Sequence, residues 1–311
     1  MTGEAIAGKE FWLAYEGGGS KTRILLGDTA GTIVGREVGG SASQLYVNAT
    51  AYARATRPML IRLRKRATEA GGRVTTVGLA APMNLTAVEG ILRDVFGEVR
   101  LVKAGEGELA LAHYGLRYGV SLVAGTGASC RCVDERGRQV SVGGFGPQFG
   151  DEGSGYWIGR QGVSATFREG DGRGEKTSLT GRVRAHFRIQ EPWEILGFVD
   201  SGGHVAGPLV ASFATEVVAA AREGDPVARR ILARAGRHLG RLVLAAVGRS
   251  KIRHRPIPLV PTGGVFGAGH FVLTPLKRIL GGSHGQFEVL PPVLEPAQGL
   301  FQIIAMRGKE R

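Results

Sequence analysis

The hydrophobic pattern of the first forty residues is that of short strands punctuated by glycine. Residues 11–15, FWLAY, form an apolar run that stops at Glu16 and the turn Gly17-Gly18-Gly19-Ser20. Residues 22–26, TRILL, form a second run, and a polar turn at 28–31 leads to a third that ends at Gly39-Gly40. Short apolar runs broken by glycine-rich turns predict consecutive β-hairpins. The same order of events returns between residues 120 and 144. There VSLVA runs into Gly125-Thr126-Gly127, residues 129–133 follow, a turn spans 134–137, and a strand closes at Gly143-Gly144. Hairpins 16–40 and 124–144 read as two copies of one unit, and internal repetition governs the architecture before any single motif does.

Around the hairpins the period becomes helical. Residues 51–70 are basic and periodic, and 108–114 predict a short helix. Residues 208–221 and 225–247 carry apolar positions at spacings of three and four. Asp225 followed by Pro226 is a helix start, with the acid as N-cap and proline in the first helical position. A last helix is predicted over 298–306. Two copies of hairpin plus helices predict two related α/β domains, 1–117 and 118–311, facing one cleft. The boundary falls in the stretch 115–119, with the last helix near the junction.

Composition sharpens this picture at three points. Glycine accounts for 51 of 311 residues, well above an average usage of about 7%, and it clusters at the predicted turns. The formal charge of +13 is explained either by an anionic partner or by an arginine-rich solvated surface. The basic residues are dispersed, and the densest run, Arg62, Arg64, Lys65 and Arg66, fits the outer face of a helix. No aromatic residues interleave with them, which argues against nucleic acid as a partner. Cys130 and Cys132 form a lone C-x-C without a second pair to complete a zinc site. On a strand both thiols share one face, so packing is their expected role, and the lack of a disulfide framework suits a reducing compartment. Residues 1–10 lack the apolar core of a signal peptide. No run approaches the roughly 18 apolar residues of a membrane span. A soluble cytoplasmic protein with no membrane partner is expected. The G-x-x-x-x-G-K string from Gly3 to Lys9 is read as chance, because Glu10 stands where a serine or threonine must hold magnesium.

A glycine-rich turn brings backbone N–H groups close to a phosphate without Cβ interference. Two such turns, each with Ser or Thr beside the glycines, can grip a polyphosphate from both sides, and closure then excludes water.

The residues now resemble a family. Residues 15–28, YEGGGSKTRILLGD, resemble the first phosphate hairpin of the actin/hexokinase/Hsp70 superfamily, and 124–133, AGTGASCRCV, the second. Residues 259–266, LVPTGGVF, resemble its adenosine-contacting motif. Residues 143–159, GGFGPQFGDEGSGYWIG, are similar to the signature of N-acetylglucosamine kinases and BadF/BadG-type ATPases. Segments 220–236 and 295–302 match later parts of that family, so the resemblance covers nearly the whole chain in order. It implies two ribonuclease-H-like (actin/hexokinase-type) α/β domains around a nucleotide cleft. The implied activity is ATP-dependent phosphorylation of an amino-sugar hydroxyl, on N-acetylglucosamine, glucosamine or N-acetylmuramic acid. ATP and Mg2+ are the implied cofactors, the sugar is the partner, and a homodimer is the general expectation for a soluble oligomer.

The same resemblance implies roles. Gly17, Gly18, Ser20, Lys21 and Thr22 would surround the terminal phosphates, opposed by Gly125, Thr126 and Gly127. Gly263 and Gly264 would admit the adenine ring. Gly144, Asp151 and Glu152 would bind sugar hydroxyls, since carboxylates accept paired hydrogen bonds from diols. Four positions depart from the family. Glu16 replaces the usual aspartate that helps position magnesium, and Glu106, within GEGELALA (105–112), replaces an aspartate base. Ser43 and Ser129 replace asparagines that often touch the sugar. Glutamate is a competent general base, but a displacement of about 1 Å can cost about a hundredfold in rate. Glu108, two residues on, is expected to point elsewhere. Two alternative functions remain in view: a BadF/BadG-type ATPase activator with an iron–sulfur cluster at a dimer interface, which needs cysteine thiolates, and a catalytically weak nucleotide sensor.

Overall fold

The computed structural model describes residues 8–42, 47–80, 85–197, 206–281 and 286–308, and in it the opening apolar runs become an antiparallel meander. Its strands are β1 (Lys9–Gly17), β2 (Thr22–Asp28) and β3 (Ile33–Gly39). In β1, Leu13 and Tyr15 pack into one apolar cluster and Ala14 into another, as in a strand covered on both faces. Helix α1 (Ala49–Glu69) starts at Asn48, whose side chain accepts from the Ala51 N–H at 2.9 Å. Its buried stripe, Tyr52, Thr56, Met59, Leu60, Leu63 and Ala67, has the spacing that a core-facing helix requires. Strand β4 (Gly72–Ala80), helix α2 (Leu85–Phe96), strand β5 (Arg100–Ala104) and helix α3 (Glu106–His113) complete this half. The sheet order is β3-β2-β1-β4-β5, with β4 and β5 parallel to β1. Glu16 stands opposite Ala80, and Ala80 opposite Ala104. The first glycine turn and the start of α3 therefore follow strands that end at the same, carboxyl, end of the sheet.

The second half repeats the plan. Strands β6 (Gly119–Ala124), β7 (Ala128–Val133) and β8 (Gln139–Gly143) form a second meander. Helices α4 (Gly146–Phe149), α5 (Gly155–Gly170), α6 (Leu179–Phe187), α7 (Ala206–Ser212), α8 (Ala214–Arg222) and α9 (Pro226–Arg249) follow. Strand β9 (Ile257–Thr262), helix α10 (His270–Leu280) and strand β10 (Phe287–Val289) complete a sheet of order β10-β9-β6-β7-β8. In both sheets the first strand has its meander on one side and two parallel strands on the other, so the duplicated hairpins belong to duplicated sheets. Asp225 accepts from the Ala228 N–H at 2.9 Å and caps α9, with Pro226 as its first residue. Its second oxygen takes the Thr177 hydroxyl and the Ser178 amide, each at 2.7 Å, and thereby anchors the start of α6. The run 208–221, read as one helix, is two helices meeting at the fully buried Phe213.

By contacts the chain forms two units, Met1–Gly115 with Pro296–Arg311, and Leu116–Glu295. This corrects the sequence expectation that the second domain runs to residue 311. The last helix, α11 (Gly299–Gly308), buries Leu300, Phe301, Ile303 and Ile304 against Ala14, Leu25, Ala80, Val102 and Leu109 of the first unit. A Cβ at Gly299 would lie 2.4 Å from the Leu109 carbonyl oxygen, so only glycine permits this approach. Among the described residues, no helix is long and apolar enough to cross a membrane.

Candidate active site

In the first unit the glycine turn is closed by the Gly18 N–H donating to the Lys21 carbonyl at 2.8 Å. The Ala42 N–H braces it by donating to the Gly18 carbonyl at 3.0 Å. Ser20 and Lys21 are exposed at its tip. Thr22 corrects the sequence reading: it is buried, and its hydroxyl donates to the Gly40 carbonyl at 2.9 Å. That hydroxyl holds the hairpin together instead of facing a phosphate. Glu16, 9% exposed, faces Arg23 across the β1–β2 pair, with 3.4 Å between guanidinium and carboxylate. Burial pushes the Glu16 carboxyl up, outweighing the pull of Arg23, Lys21 and the Ala297 amide in the other direction. Glu106 is the first residue of α3, directly after the Gly105 N-cap. The Glu106 side chain, Ser43, and residues 3–7 of the Gly3–Lys9 string lie outside the described residues. Glu108 is committed elsewhere, in an ion pair with Arg307 at 3.1 Å.

In the second unit several of the expected site residues lie together. The β6–β7 turn, Gly125–Thr126–Gly127, is held by the first turn of α5. The Gly155 N–H donates to the Gly125 carbonyl at 2.8 Å, and the Tyr156 N–H to the Thr126 carbonyl at 3.1 Å. Asp151 sits against this turn, 7% exposed, with its carboxylate accepting from the Ala128 N–H at 3.2 Å. A Cβ at Gly127 would lie 2.8 Å from Asp151 Oδ2, so the approach depends on glycine. The φ of 62° at Asp151 is uncommon for a residue with a side chain, and such backbone clusters at functional sites. Burial raises the Asp151 carboxyl, helped by nearby Glu152 and opposed by the Ala128 and Gly146 amides. Glu152 itself is exposed.

Two further loops meet here. A Cβ at Gly144 would sit 3.4 Å from the Ser129 Cβ, which places these two residues side by side. At Gly263, φ is 108° and a Cβ would lie 2.5 Å from the Ala124 carbonyl oxygen, so this glycine packs the β9 turn onto the β6 turn. Gly264 is different: it is exposed, and nothing lies within 4 Å of where its Cβ would project. Gly125–Gly127, Ser129, Gly144, Asp151 and Gly263–Gly264 thus collect around the carboxyl ends of β6 and β9, where open α/β sheets bind ligands. Beside the turn after β9 lies a depression of about 700 Å³ lined by Arg222, Arg229, His270, Phe271 and Thr274, without a carboxylate. Arg222 donates to the Gly267 carbonyl at 3.1 Å, and the Arg229 guanidinium lies 5.9 Å from the Phe271 ring centre. The family-like segment 220–236 contains Arg222 and Arg229 without implying a role for them, and no motif covers His270, Phe271 and Thr274. They come from α8, α9 and α10, and no local pattern joins them.

Cys130 and Cys132 share the inward face of β7, as the alternation predicts, and burial raises both thiols. Inside the core neither is placed to hold a cluster at a subunit interface. Among the described residues, no three His, Cys, Asp or Glu side chains gather as a metal site.

The sequence profile of the BadF/BadG/BcrA/BcrD ATPase family matches residues 16–299. The chain belongs to this family. It is 28% identical over 219 residues to the N-acetylmuramic acid/N-acetylglucosamine kinase of Clostridium acetobutylicum, covering 70% of this chain and 71% of that one. It is 22% identical over 323 residues to the N-acetyl-D-glucosamine kinase of Dictyostelium discoideum, covering 97% and 99%. Among solved structures, a Chromobacterium violaceum protein provisionally named an N-acetylglucosamine kinase superposes with a TM-score of 0.69 at 24% identity, over 94% of this chain and 98% of that one. A ROK family glucokinase from Streptomyces griseus, solved with glucose and AMPPNP, gives 0.57 at 16% identity, over 95% and 98%. The family member's fold is therefore a pair of ribonuclease-H-like (actin/hexokinase-type) α/β domains.

Proposed function

We infer that this protein is an ATP-dependent sugar kinase that phosphorylates a hydroxyl of an amino sugar, with N-acetylglucosamine, glucosamine and N-acetylmuramic acid as candidate acceptors. The observation that carries the reading is the glycine hairpin at the same place in each of two equivalent sheets, in a family member similar to amino-sugar kinases. ATP fits the residues present. Nothing lies within 4 Å of where a Cβ would project at Gly125 or Gly264, so packing does not require glycine there, whereas a phosphate or a purine approaching the backbone does. Gly17, Gly18, Ser20 and Lys21 would hold the phosphates from one hairpin and Gly125, Thr126 and Gly127 from the other. Gly264 would border the base, with Arg222, Arg229 and Phe271 nearby.

Glu16 fits magnesium as a single carboxylate, because that ion uses one or two carboxylates and completes its shell with phosphate oxygens and water. Bound there, it would neutralise charge on the transferring phosphoryl group. Asp151, Glu152, Gly144, Ser129 and Ser43 would orient the sugar. Glu106 would accept the proton of the attacking hydroxyl, whose oxygen bonds to the γ-phosphorus as the bond to ADP breaks. Positioning and electrostatics supply most of the acceleration in such reactions. A coupled assay for ADP across hexoses and amino sugars tests this reading. Amino-sugar-dependent ADP formation is the expected result, and ADP formation indifferent to every sugar overturns it.

A further inference from the structure

Most basic residues of the chain are dispersed, but two loops of the second unit bring several together around one hollow. The β7–β8 turn and the loop 250–256, between α9 and β9, enclose about 240 Å³ lined by Glu135, Arg136, Arg138, Lys251 and Arg253. Gly119 stands opposite Val133, and Val120 opposite Leu259, so the hollow lies at the amino ends of β6 and β9. The glycine turns at Gly125 and Gly263 leave the carboxyl ends of the same two strands, a six-residue length of roughly 20 Å away.

Both loops are braced. Asp134 is buried, and one of its oxygens accepts from the Arg136 and Arg138 N–H groups, each at 2.9 Å, while the other takes the Arg138 guanidinium at 2.7 Å. Glu135 reaches across to the second loop and accepts from the Arg253 and His254 N–H groups at 2.9 and 2.6 Å. Arg255 turns back to donate to the Ile252 and His254 carbonyls. The two acids are thus engaged in ordering backbone. Among the described residues, no carboxylate forms an ion pair with Arg136, Lys251 or Arg253, and all three are exposed. The arginine-rich hollow between α5 and α9 differs, because there Arg173 and Arg230 are paired with Asp171 at 2.5 Å and Glu175 at 2.6 Å. A concave site lined by one sign of charge concentrates the opposite ion.

We propose that this hollow binds a compact phosphoryl anion, either pyrophosphate or the phosphate group of a small ester, through Arg136, Lys251 and Arg253. Guanidinium groups present paired N–H donors that match phosphate oxygens, and the lysine adds a point charge. The volume lies below the roughly 300–1,000 Å³ of pockets for drug-sized ligands, which favours a small anion. No aromatic side chain is among the described lining residues, so nucleic-acid bases would find no stacking surface. Such a site is independent of the kinase reading.

The test titrates pyrophosphate into the full chain by calorimetry, with the phosphate turns first saturated by AMPPNP so that further binding reports on the hollow. Wild type should take up pyrophosphate at a single site. Arg136→Ala and Arg253→Ala should each weaken that binding by about tenfold, the scale of one charge-assisted hydrogen bond, with thermal midpoints near wild type. The bond from His254 holds the Glu135 carboxyl below its ordinary value, so this side chain is charged at neutral pH. Glu135→Gln keeps an acceptor for the Arg253 and His254 N–H groups but removes that charge, and pyrophosphate should bind severalfold more tightly. A residue that only held the loops in place would not give this sign. Glucose 6-phosphate in place of pyrophosphate separates the two sources, and the tighter of the two ligands names the one the hollow takes. Absence of binding by both ligands in wild type overturns the proposal, as does an affinity unchanged in both alanine variants. A DNA duplex that binds where neither small anion does would also overturn it, and would make the patch a nucleic-acid surface. Should AMPPNP itself fail to bind, the nucleotide reading falls, and the same variants titrated without it still decide the hollow.

Discussion

At the scale of single residues, the proposed chemistry turns on a few carboxylates. Glu106 is the proposed base, and Glu106→Gln keeps the volume while removing proton acceptance. The expected outcome is a loss of about 10²–10⁴-fold in kcat with a smaller change in sugar affinity, measured by steady-state kinetics. Glu106→Asp then separates a site rebuilt around the longer side chain, where turnover falls, from one that tolerates either length. Asp151 makes a different prediction. Burial holds its folded pKa above the ordinary value, so the native state binds the proton more tightly than the unfolded chain. The resulting cost to stability is absent below the unfolded pKa and fully present above the folded one. Asparagine can accept from the Ala128 N–H and tolerates a positive φ. Asp151→Asn should therefore raise the thermal midpoint at pH 7, with the gain fading as pH falls and gone below about pH 4, while the KM for sugar rises. A midpoint that falls at pH 7 would show that the charge stabilises the loop.

At the scale of elements, caps and turns decide. The two glycines after β9 carry different tasks. Gly264→Leu should weaken ATP binding in a nucleotide titration while the thermal midpoint stays near wild type, because its Cβ direction is open. Unchanged ATP affinity would remove Gly264 from the site. Gly263→Ala should instead cost stability, by about 1–3 kcal/mol, through its φ of 108° and the clash with the Ala124 carbonyl. Asp225 joins α6 to α9. Burial pushes its carboxyl up, but bonds from Ala228, Thr177 and Ser178 outweigh that and hold its folded pKa below the ordinary value. Its stabilisation is present above the unfolded pKa and lost as pH falls through the folded one. Asp225→Ala should cost about 1–3 kcal/mol at pH 7 in denaturant unfolding, and the difference from wild type should shrink in strong acid.

At the scale of the whole molecule, the two units are unequal in how they use the chain. The second is continuous, Leu116–Glu295, whereas the first recruits Pro296–Arg311 from the far end. A polypeptide of residues 116–295 should therefore fold by itself, with cooperative thermal unfolding followed by circular dichroism. Residues 1–115 alone should not, because Leu300, Phe301, Ile303 and Ile304 leave an apolar face of that unit uncovered when they are absent. Addition of 296–311 through a linker should restore cooperative unfolding. Stable folding of 1–115 by itself would show that α11 contributes little to the first core.

The sequence alone determined what is local. Glycine turns between period-two runs fixed both meanders, Asp225-Pro226 marked the start of α9, and alternation put Cys130 and Cys132 on one inward face. The motif order identified the family because it follows the chain. Helices α2, α4, α5 and α6 have no counterpart among the elements that the sequence predicts, and which partner each residue meets is not legible there. Nothing in the letters distinguishes Gly263, pressed on the Ala124 carbonyl, from Gly264, open to solvent. Nothing local shows that the Thr22 hydroxyl is taken by Gly40, that the Asp151 carboxylate lies on the Ala128 amide, or that Phe145 and Phe149 stay outside the core while Phe301 enters the first unit. These outcomes depend on faces that meet across long stretches of chain. Secondary structure answers mainly to spacing between near neighbours, whereas burial and hydrogen-bond pairing answer to what the rest of the fold brings alongside.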